Sequence, residues 1–417
     1  MSTMDTYNRT PEILSTNVQP RLAEIKVIGV GGGGCNTVTR LYKEGIKNVE
    51  FLVCNTDKQA LDDLCVPEKL HLGPTLTEGK GAGCNPIVGR NAALESLEDI
   101  DRLIGKNIKT VFITAGMGGG TGTGAAPVIA KVAKERGLLT IGIVTYPAID
   151  DGFDTMQRAF EGIEELSKNV DSILIVDNQK IYEYYKDYDI DDAYSKVDEV
   201  LITGVKGITG IIMDKGYINV DLADVTMVMR DSGMSLLGVG KAKGERKAAE
   251  AVEKAFTSPL LSDFDLKTAK SVLVNIVANS RTRIKVSELD EIMKTIQEFT
   301  GSSRKFKKKG IVYDDNIEED SVSVTVVATG FKMNLTPPSS LAGTSFSDED
   351  IITLDSSGDS QADDIMLDIP GGMPDLKIRN FNPENLTVYL PGKSITDYES
   401  QTALERLENA RNGSVSQ

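Results

Sequence analysis

The sequence predicts an α/β protein with a Rossmann-like parallel sheet, a long central helix, a second α+β domain and a disordered acidic tail. Three observations predict this fold class. Short β-branched segments alternate with helical segments from residue 25 onward, a one-sided apolar stripe runs through residues 191–212, and the composition turns acidic after residue 332. Strands that alternate with helices form parallel sheets that are covered on both faces.

The first domain is predicted over residues 23–190, after a polar and aperiodic arm at residues 1–22 that we expect to be flexible. The domain opens with a strand, a glycine run and a helix, and the same alternation continues along it. The predicted strands are 25–30, 49–55, 109–116 and 138–145, and the predicted helices follow the glycine run at 29–36 and cover 86–104 and 125–137.

A central helix is predicted over residues 191–215, because its apolar residues recur at alternating spacings of three and four. They are Ala193, Val197, Val200, Leu201, Val205, Ile208 and Ile211. Such a helix would be ~30 Å long and would form a strut between two halves. A second domain, residues 216–332, follows with helices near 245–256 and 287–299 and a strand at 322–331.

Residues 333–417 are predicted to form a disordered linker and tail. They contain 14 acidic and 5 basic residues, and such a chain buries too little apolar surface to offset the entropy of ordering. An apolar patch at 378–392 and a short helical pattern at 404–411 interrupt it. The basic cluster at 303–310, before the last predicted strand, is interpreted as a solvated loop.

Composition argues against several classes of function. The formal net charge is −16, which disfavours binding to nucleic-acid phosphates. The chain has one histidine, His71, and its four cysteines form no CxxC pair, so no metal site or redox dithiol is predicted and the thiols are expected to be buried. No apolar run approaches the ~20 residues of a membrane span. We therefore expect a soluble, cytoplasmic protein.

The first of two glycine runs, residues 29–36, stands where a strand turns into a helix. Glycine lets backbone N–H groups approach a phosphate there, and the helix N-terminus favours its charge. Gly29, Gly31 and Gly34 fit a GxGxxG pattern, and Asp57 follows the second strand. By itself this pattern favours a dinucleotide site.

The second run follows another strand. Six of the nine residues from Gly116 to Gly124 are glycine, with Thr121 and Thr123 between them, and Pro127 is predicted to lie in the first turn of the next helix. Bare amides and threonine hydroxyls can hold a second phosphate group. Neither run ends in the Lys-Ser/Thr pair of a Walker P-loop, which excludes the ordinary P-loop GTPases and ATPases.

The motifs occur in a fixed order: GVGGGG (29–34), NTDKQAL (55–61), GAGCNP (81–86), GGGTGTG (118–124), INVDLADV (218–225) and TSPLL (257–261). Together they resemble the tubulin/FtsZ superfamily of GTPases, and within it the bacterial cell-division branch. The resemblance covers about residues 24–331. It implies GTP or GDP as the ligand, Mg²⁺ with the nucleotide, GTP hydrolysis and assembly into filaments of a division ring at mid-cell.

The resemblance also implies which residues contact the phosphates. Contacts to the α and β phosphates fall on Gly32, Gly33, Gly34, Cys35 and Asn36. Contacts to the β and γ phosphates fall on Gly118, Gly119, Gly120, Thr121, Gly122 and Thr123. The pocket is completed by Asn55, Thr56 and Asp57, and by Ala82 and Gly83 of a loop that senses the γ-phosphate. Cys35 replaces the usual glycine, and its side chain is expected to crowd the loop.

Sugar and base recognition depart from the family pattern. The usual Glu and Arg that contact ribose and phosphate align with Asp151 and Thr155, and Arg158, one turn further on, is an alternative. The acid pair that contacts guanine aligns with Asp198 and Glu199, after an aromatic position at Tyr194. A carboxylate that accepts hydrogen bonds from guanine N1 and N2 discriminates against adenine. A solvated helix face is the other interpretation of the two acids.

Candidate catalytic residues lie in INVDLADV: Asn219, Asp221 and Asp224. Acids three residues apart share one face if a helix starts there, and they equally suit a capped helix start. In the family this loop enters the nucleotide site of the neighbouring subunit. The resemblance therefore implies a head-to-tail contact, which repeats into an open filament.

Two alternatives stay open. One is a divergent paralogue that binds GTP as a structural filament subunit and hydrolyses it weakly, and the other is a nicotinamide-dependent oxidoreductase. The resemblance also implies membrane tethers or regulators as partners of the tail, with no direct membrane insertion. The tail lacks the family's usual ending, because residues 367–370 continue with Gly-Gly; the patch at 378–392 or the segment at 404–411 would have to replace it.

Overall fold

The structure, a computed structural model, describes residues 23–46, 48–213, 217–218, 220–257, 266–301, 306–315 and 317–331. The predicted arm at 1–22 and the predicted tail at 333–417 lie outside the described residues, and so does Asn219.

One ten-stranded sheet runs through the described chain. Its strands are β1 (Ile25–Val30), β2 (Val49–Asn55), β3 (Lys69–His71), β4 (Thr110–Gly116), β5 (Leu139–Tyr146), β6 (Ser172–Asp177), β7 (Gly233–Lys243), β8 (Ser271–Ala278), β9 (Phe306–Tyr313) and β10 (Ser321–Phe331). Their order across the sheet is β3-β2-β1-β4-β5-β6-β7-β10-β8-β9. All neighbours from β3 to β7 are parallel, β10 is antiparallel to β7 and β8, and β9 is parallel to β8. The predicted α/β class is confirmed.

Helices cover both faces of this sheet. They are α1 (Gly31–Lys43), α2 (Lys58–Asp62), α3 (Pro74–Thr77), α4 (Pro86–Glu95), α5 (Leu97–Ile104), α6 (Thr121–Glu135), α7 (Phe153–Asn169), α8 (Asn178–Tyr184), α9 (Ile190–Met213), α10 (Leu222–Met229), α11 (Lys247–Phe256) and α12 (Val286–Thr300). Val27 of β1 belongs to the hydrophobic cluster under α1, α9 and α10, and Ile28 belongs to the cluster under α4 to α7, α11 and α12. Burial on both faces explains why these strands are almost continuously apolar.

The predicted helix over 86–104 is wrong in one respect, because Ser96 divides it into α4 and α5. Ser96 is buried, and its hydroxyl accepts a hydrogen bond of 3.0 Å from the N–H of Gly73. Gly73 lies 23 positions away in the sequence, so this is a tertiary contact. It holds Ser96 at the point where α4 ends and α5 begins.

The interpretation of residues 303–310 as a solvated loop is wrong in its second half. Residues from Phe306 onward form β9, which pairs with β8 at the end of the sheet. Lysines are common on such edge strands, because they discourage pairing with another chain. The run of lysines made this segment look like a loop in the sequence, so β9 was not predicted. Four other strands, β3, β6, β7 and β8, were also not predicted.

A narrow junction joins the two halves of the sheet. β6 and β7 pair only through Ser172–Gly233 and Ile173–Met234, and α9 packs across β5, β6 and β7 beside this junction. The side chains of Leu201, Val205, Ile208 and Ile211 are buried, which confirms the predicted stripe where it is described. Helix α9 has 24 residues and is about 36 Å long. The domain boundaries at 190 and 216 stay a prediction that this junction favours.

Among the helices of the described ranges, none combines the length and the apolar character that a membrane span requires.

Candidate functional site

The first glycine run forms the turn between β1 and α1. α1 begins at Gly31, whose φ of +70° favours glycine. A Cβ atom at Gly34 would lie 2.1 Å from the carbonyl oxygen of Thr114 in β4, so this glycine is required by close packing of helix and sheet. A Cβ atom at Gly32 would meet nothing within 4 Å. The turn is thus tightly packed on one side and open on the other.

Cys35 packs away from the open side of this turn. Its thiol is buried and lies 3.4 Å from the carbonyl oxygen of Cys54 and 3.6 Å from that of Gly29. Burial raises the pKa of the Cys35 thiol to about 12. The expectation that this side chain crowds the loop is therefore wrong. Cys65 and Cys84 are exposed, so the expectation of buried thiols holds only for the other two.

The second glycine run forms the turn between β4 and α6. Gly118 has a φ of +105°, and its N–H donates a hydrogen bond of 2.9 Å to the hydroxyl of Thr123. A Cβ atom at Gly122 would lie 2.5 Å from the carbonyl oxygen of Gly116, whereas one at Gly119 would meet nothing within 4 Å. This run therefore repeats the pattern of the first, with packed glycines beside an open one.

α6 begins earlier than predicted. Its first residue is Thr121 and not residue 125, because the glycines after Thr121 already adopt helical backbone. Pro127 consequently lies inside the helix, and its prediction as a first-turn proline is wrong.

The two runs contact each other. A Cβ atom at Gly31 would lie 2.9 Å from the backbone nitrogen of Gly122, and one at Gly33 would lie 3.5 Å from the Cα of Gly116. Asn36, one turn into α1, is exposed. Because β1 and β4 are parallel neighbours, both turns lie at the carboxyl edge of the sheet. This edge is where open α/β sheets bind their ligands.

Two further loops reach this edge. The hydroxyls of Thr56 and Thr121 lie 2.6 Å apart, so the loop after β2 contacts the start of α6. A Cβ atom at Gly120 would lie 2.8 Å from the Cβ of Ala82. Gly83 has a φ of +57° and open space around its Cα. Four of the predicted segments are thus brought together.

The residues after β2 hold this loop in shape. Asn55 and Thr56 are buried, and the backbone N–H of Asp57 lies 3.3 Å from the side-chain oxygen of Asn55. The Asp57 carboxylate accepts a hydrogen bond of 2.9 Å from the N–H of Ala60 and so caps α2. Asn and Asp are favoured at such caps.

Arg158 supports the second glycine run from α7. Its Nε donates a hydrogen bond of 2.9 Å to the carbonyl oxygen of Gly118, and its Nη2 donates one of 3.1 Å to the hydroxyl of Thr155. The Asp151 carboxylate accepts a bond of 2.9 Å from the N–H of Ala148. Arg158 is therefore occupied in holding the glycine loop.

Three polar residues at the same edge were missed by the sequence analysis. Tyr146 and Asp177 are paired last residues of β5 and β6, and Asn178 follows. Within the described part of the chain, the Tyr146 hydroxyl and the Asn178 Oδ1 are shielded from solvent and have no hydrogen-bond partner. Burial raises the pKa of the Asp177 carboxyl, and burial together with Asp177 raises that of Tyr146. Unpartnered polar atoms at a ligand-binding edge are suited to receive a polar ligand.

The residues predicted to contact the base belong to α9. Tyr194 and Asp198 lie within this helix, but their side chains are outside the described residues. Glu199 is exposed and makes at least one polar or charged interaction. Their contacts with guanine stay a prediction.

The acids of INVDLADV form a reciprocal cap at the start of α10. Asp221 is the N-cap: its Oδ1 accepts a 2.8 Å hydrogen bond from the N–H of Asp224, and its own N–H donates one of 3.1 Å to Asp224 Oδ2. The ammonium of Lys308 in β9 lies 2.8 Å from the same Oδ2. Partial burial by itself would raise the pKa of Asp224, but the Lys308 and Asp221 contacts outweigh it and hold that pKa below its usual range.

This acid pair lies near the amino ends of the parallel strands, whereas the glycine runs lie at their carboxyl ends. α8 directly follows the carboxyl end of β6 and contacts α9, which then runs about 36 Å before the acid segment. At the far end of α10, Arg230 donates a hydrogen bond of 3.1 Å to the carbonyl oxygen of Gly137, which precedes β5. α10 then leads to the first residue of β7. The acids are therefore on the amino side of the sheet and the glycine runs at its carboxyl edge.

A parallel sheet with two contacting glycine-rich turns at its carboxyl edge, continued past a long helix into a second half, defines a tubulin-like nucleotide-binding protein. The family model for the Tubulin/FtsZ family, GTPase domain, matches residues 24–186, and the model for the FtsZ family, C-terminal domain, matches residues 233–332. The chain belongs to the tubulin/FtsZ family of GTPases. The resemblance found in the sequence is confirmed.

Curated relatives and solved structures agree with this assignment. Proteins named cell division protein FtsZ from Pseudomonas aeruginosa and Aquifex aeolicus are 46% and 43% identical, covering 76% and 74% of this chain and 79% and 83% of theirs. A structure of an empty FtsZ dimer from M. jannaschii is 39% identical with a TM-score of 0.67, covering 74% of this chain and 88% of that chain. A structure of a GTPγS-bound CetZ2 protofilament from Haloferax volcanii is 21% identical and shares the fold, with a TM-score of 0.63. The match covers 77% of this chain and 96% of that chain.

Proposed function

We propose that this protein is a GTPase of bacterial cell division that polymerises head-to-tail, with each active site completed by the next subunit in the filament. The relatives from Pseudomonas aeruginosa and Aquifex aeolicus, which are more than 40% identical over the aligned residues, carry the name cell division protein FtsZ. One similar solved structure, at 39% identity, is a dimer. In this account the protein acts in the cytoplasm, at a division ring at mid-cell.

One observation carries this proposal. The glycine-rich turns lie at the carboxyl ends of the parallel strands, and the acid pair lies near their amino ends. Helix α9, about 36 Å long, runs towards the acid segment. The acids of one molecule are therefore too far from its own phosphates to act on them. Two unlike ends that must meet give a heterologous contact, which repeats into an open filament.

The glycine runs are proposed to hold the phosphates of GTP or GDP. The open space at Gly32, Gly119 and Gly83 leaves room for phosphate oxygens beside backbone N–H groups, and the N-termini of α1 and α6 favour negative charge. The contacts proposed from the sequence are kept: Gly32, Gly33, Gly34, Cys35 (through its backbone), Asn36, Gly118, Gly119, Gly120, Thr121, Gly122, Thr123, Asn55, Thr56, Asp57, Ala82 and Gly83. Mg²⁺ bound with the nucleotide would neutralise phosphate charge.

The sugar and base are proposed to extend from the second run towards α9. Within the described residues, Asn178 and Tyr146 have polar atoms without a hydrogen-bond partner at this edge. Asp151 and Thr155 are proposed to contact the ribose and phosphate. Further along, Tyr194 would stack on the base, and Asp198 and Glu199 would accept hydrogen bonds from guanine N1 and N2.

Hydrolysis is proposed to use Asp221 and Asp224, with Asn219 beside them, against the γ-phosphate of the neighbouring subunit. Phosphoryl transfer needs an attacking water in line and stabilisation of charge on the phosphoryl oxygens. Within the described residues, Oδ2 of Asp224 accepts the hydrogen bond from the Asp221 N–H and pairs with Lys308. We assign the hydrogen bond from this water to the other oxygen, Oδ1.

Two other candidates are less well supported. A nicotinamide-dependent oxidoreductase leaves the second glycine run and the acid pair without a role. A filament subunit with weak hydrolysis gains no support from crowding by Cys35, because the side chain of Cys35 is buried against β1 and β2. Binding of membrane tethers or regulators by residues 333–417 stays a proposal from the sequence.

The first test is sedimentation of the purified protein with Mg²⁺ and GTP, GDP or ATP while phosphate release is followed. We expect pelleting and phosphate release with GTP alone, because a filament needs the γ-phosphate at each subunit contact and the site selects guanine. Pelleting with GTP but without phosphate would favour the weakly hydrolysing subunit. A folded protein that neither pellets nor releases phosphate would contradict the proposal.

A further inference from the structure

The acid segment is attached to β9, the strand that the sequence analysis interpreted as a loop. Ile218 and Ile311 form an antiparallel bridge, with hydrogen bonds of 3.3 and 3.0 Å between their backbones. The N–H of Tyr217 also donates a bond of 2.7 Å to the carbonyl oxygen of Ile311. β9 thus fixes the chain three residues before Asp221.

Side-chain packing makes a second attachment at the same strand. A Cβ atom at Gly310 would lie 3.1 Å from a methyl carbon of Val220, so the glycine lets the acid segment lie close to the strand. Side chains two residues apart point to the same face of a strand. Lys308 therefore lies on the face that meets the acid segment, and Lys309 lies on the other face.

The third attachment is the ion pair between Lys308 and Asp224, 2.8 Å long, with side chains 38% and 18% exposed. Both the lysine ammonium and the N–H of Asp221 bind Oδ2 of Asp224. Two donors on one oxygen restrain the orientation of the carboxylate. Among the described residues, Lys308 and Asp221 are the charged groups that act on the Asp224 carboxylate.

From these contacts we propose that Lys308 is a positioning residue for GTP hydrolysis: it holds the Asp224 carboxylate in the orientation that meets the water on the neighbouring subunit's nucleotide. This inference rests on the proposed function of Asp224. It also gives the basic cluster a role, because one lysine of the cluster offsets the charge of an acid pair that must approach a triphosphate.

The test compares Lys308→Met, Lys308→Arg and the control Lys309→Met in the full-length protein, with GTP turnover per pelleted subunit measured from pH 3.5 to 8. Lys308→Met is expected to lower turnover roughly tenfold or more, since a ~1 Å misplacement can cost about 10²-fold. Its critical concentration should stay close to the parent. Lys308→Arg should restore most of the rate, and Lys309→Met should leave it unchanged.

The pH profile separates positioning from a structural role. Activity that needs ionised Asp224 is lost as pH falls through the pKa of that carboxyl, and the Lys308 contact lowers this pKa. Lys308→Met should therefore move the acid limb to higher pH, whereas a merely loosened fold would lower the rate without moving it.

Each outcome decides the proposal. A parent rate and parent profile in Lys308→Met would overturn it, as would equal losses in Lys309→Met. Loss of pelleting together with turnover would assign Lys308 to assembly instead. Asp224→Asn is measured in parallel: parent turnover in that variant would overturn the proposed function itself, whereas an inactive Asp224→Asn beside a normal Lys308→Met would overturn only the role of Lys308.

Discussion

Asp224→Asn is expected to lower GTP hydrolysis by roughly 10²–10⁴-fold, the usual contribution of a positioned acid or base, while GTP binding and pelleting persist. Asparagine keeps an oxygen that can accept the Asp221 N–H, so the start of α10 should survive. The loss would follow from removing the charge that we propose acts on the neighbouring subunit's water. Phosphate release and pelleting in one sample measure both properties.

Asp231→Asn provides a matched control near the other end of α10. Asp231 is exposed, pairs with Lys134 at 3.2 Å and has a φ of +49°, a conformation that asparagine also adopts. Its turnover should equal that of the parent. Parent-like hydrolysis in Asp224→Asn would remove the acid pair from the mechanism.

Gly34→Ala is expected to destabilise the fold by about 3 kcal/mol or more, at or above the upper end of the usual cost of overpacking. Alanine is better than glycine in a helix by ~1 kcal/mol, so backbone preference alone would stabilise α1. The steric clash outweighs this gain, because the new Cβ would lie 2.1 Å from a backbone oxygen of β4. A backbone atom in a sheet cannot move aside as the end of a flexible side chain can.

Gly119→Ala is the matched comparison. Its Cβ would meet nothing within 4 Å, so the melting temperature should stay close to the parent, while GTP affinity should fall because the methyl group would occupy space proposed for the phosphates. Thermal unfolding and nucleotide titration of both variants measure the contrast. Equal melting temperatures for Gly34→Ala and the parent would contradict this account of the packed glycines.

The sequence predicted the elements whose hydrophobic pattern is local. β1 and β2 occupy the predicted residues, and β4, β5, α11, α12 and β10 agree to within one or two residues. The errors arise where a contact with a residue distant in the sequence determines whether a helix or strand forms and where it ends. Ser96 ends a helix through the N–H of Gly73, and β9 forms because β8 pairs with it despite its lysines.

The sequence predicted which segments form the candidate site, but it did not predict which residues in them are packed and which are open to a ligand. The glycines of both runs look alike in the sequence, and only their neighbours separate Gly34, which is packed, from Gly119, which is open. Asn178 was missed because β6 itself was not predicted, so no strand end marked it. Tyr146 directly follows the predicted strand 138–145, but the sequence does not show that its hydroxyl is buried without a hydrogen-bond partner among the described residues. The Lys308–Asp224 pair joins residues 84 positions apart, 308 − 224, which no local pattern reports.

In the proposed function, one molecule alone does not contain a complete active site. GTP turnover per subunit of the unmodified protein, measured over a dilution series that crosses the onset of pelleting, tests this directly. We expect turnover per subunit to fall towards zero on dilution and to rise with the pelleted fraction. Turnover per subunit that is constant at every concentration would mean that each molecule hydrolyses GTP alone, and would contradict the shared active site.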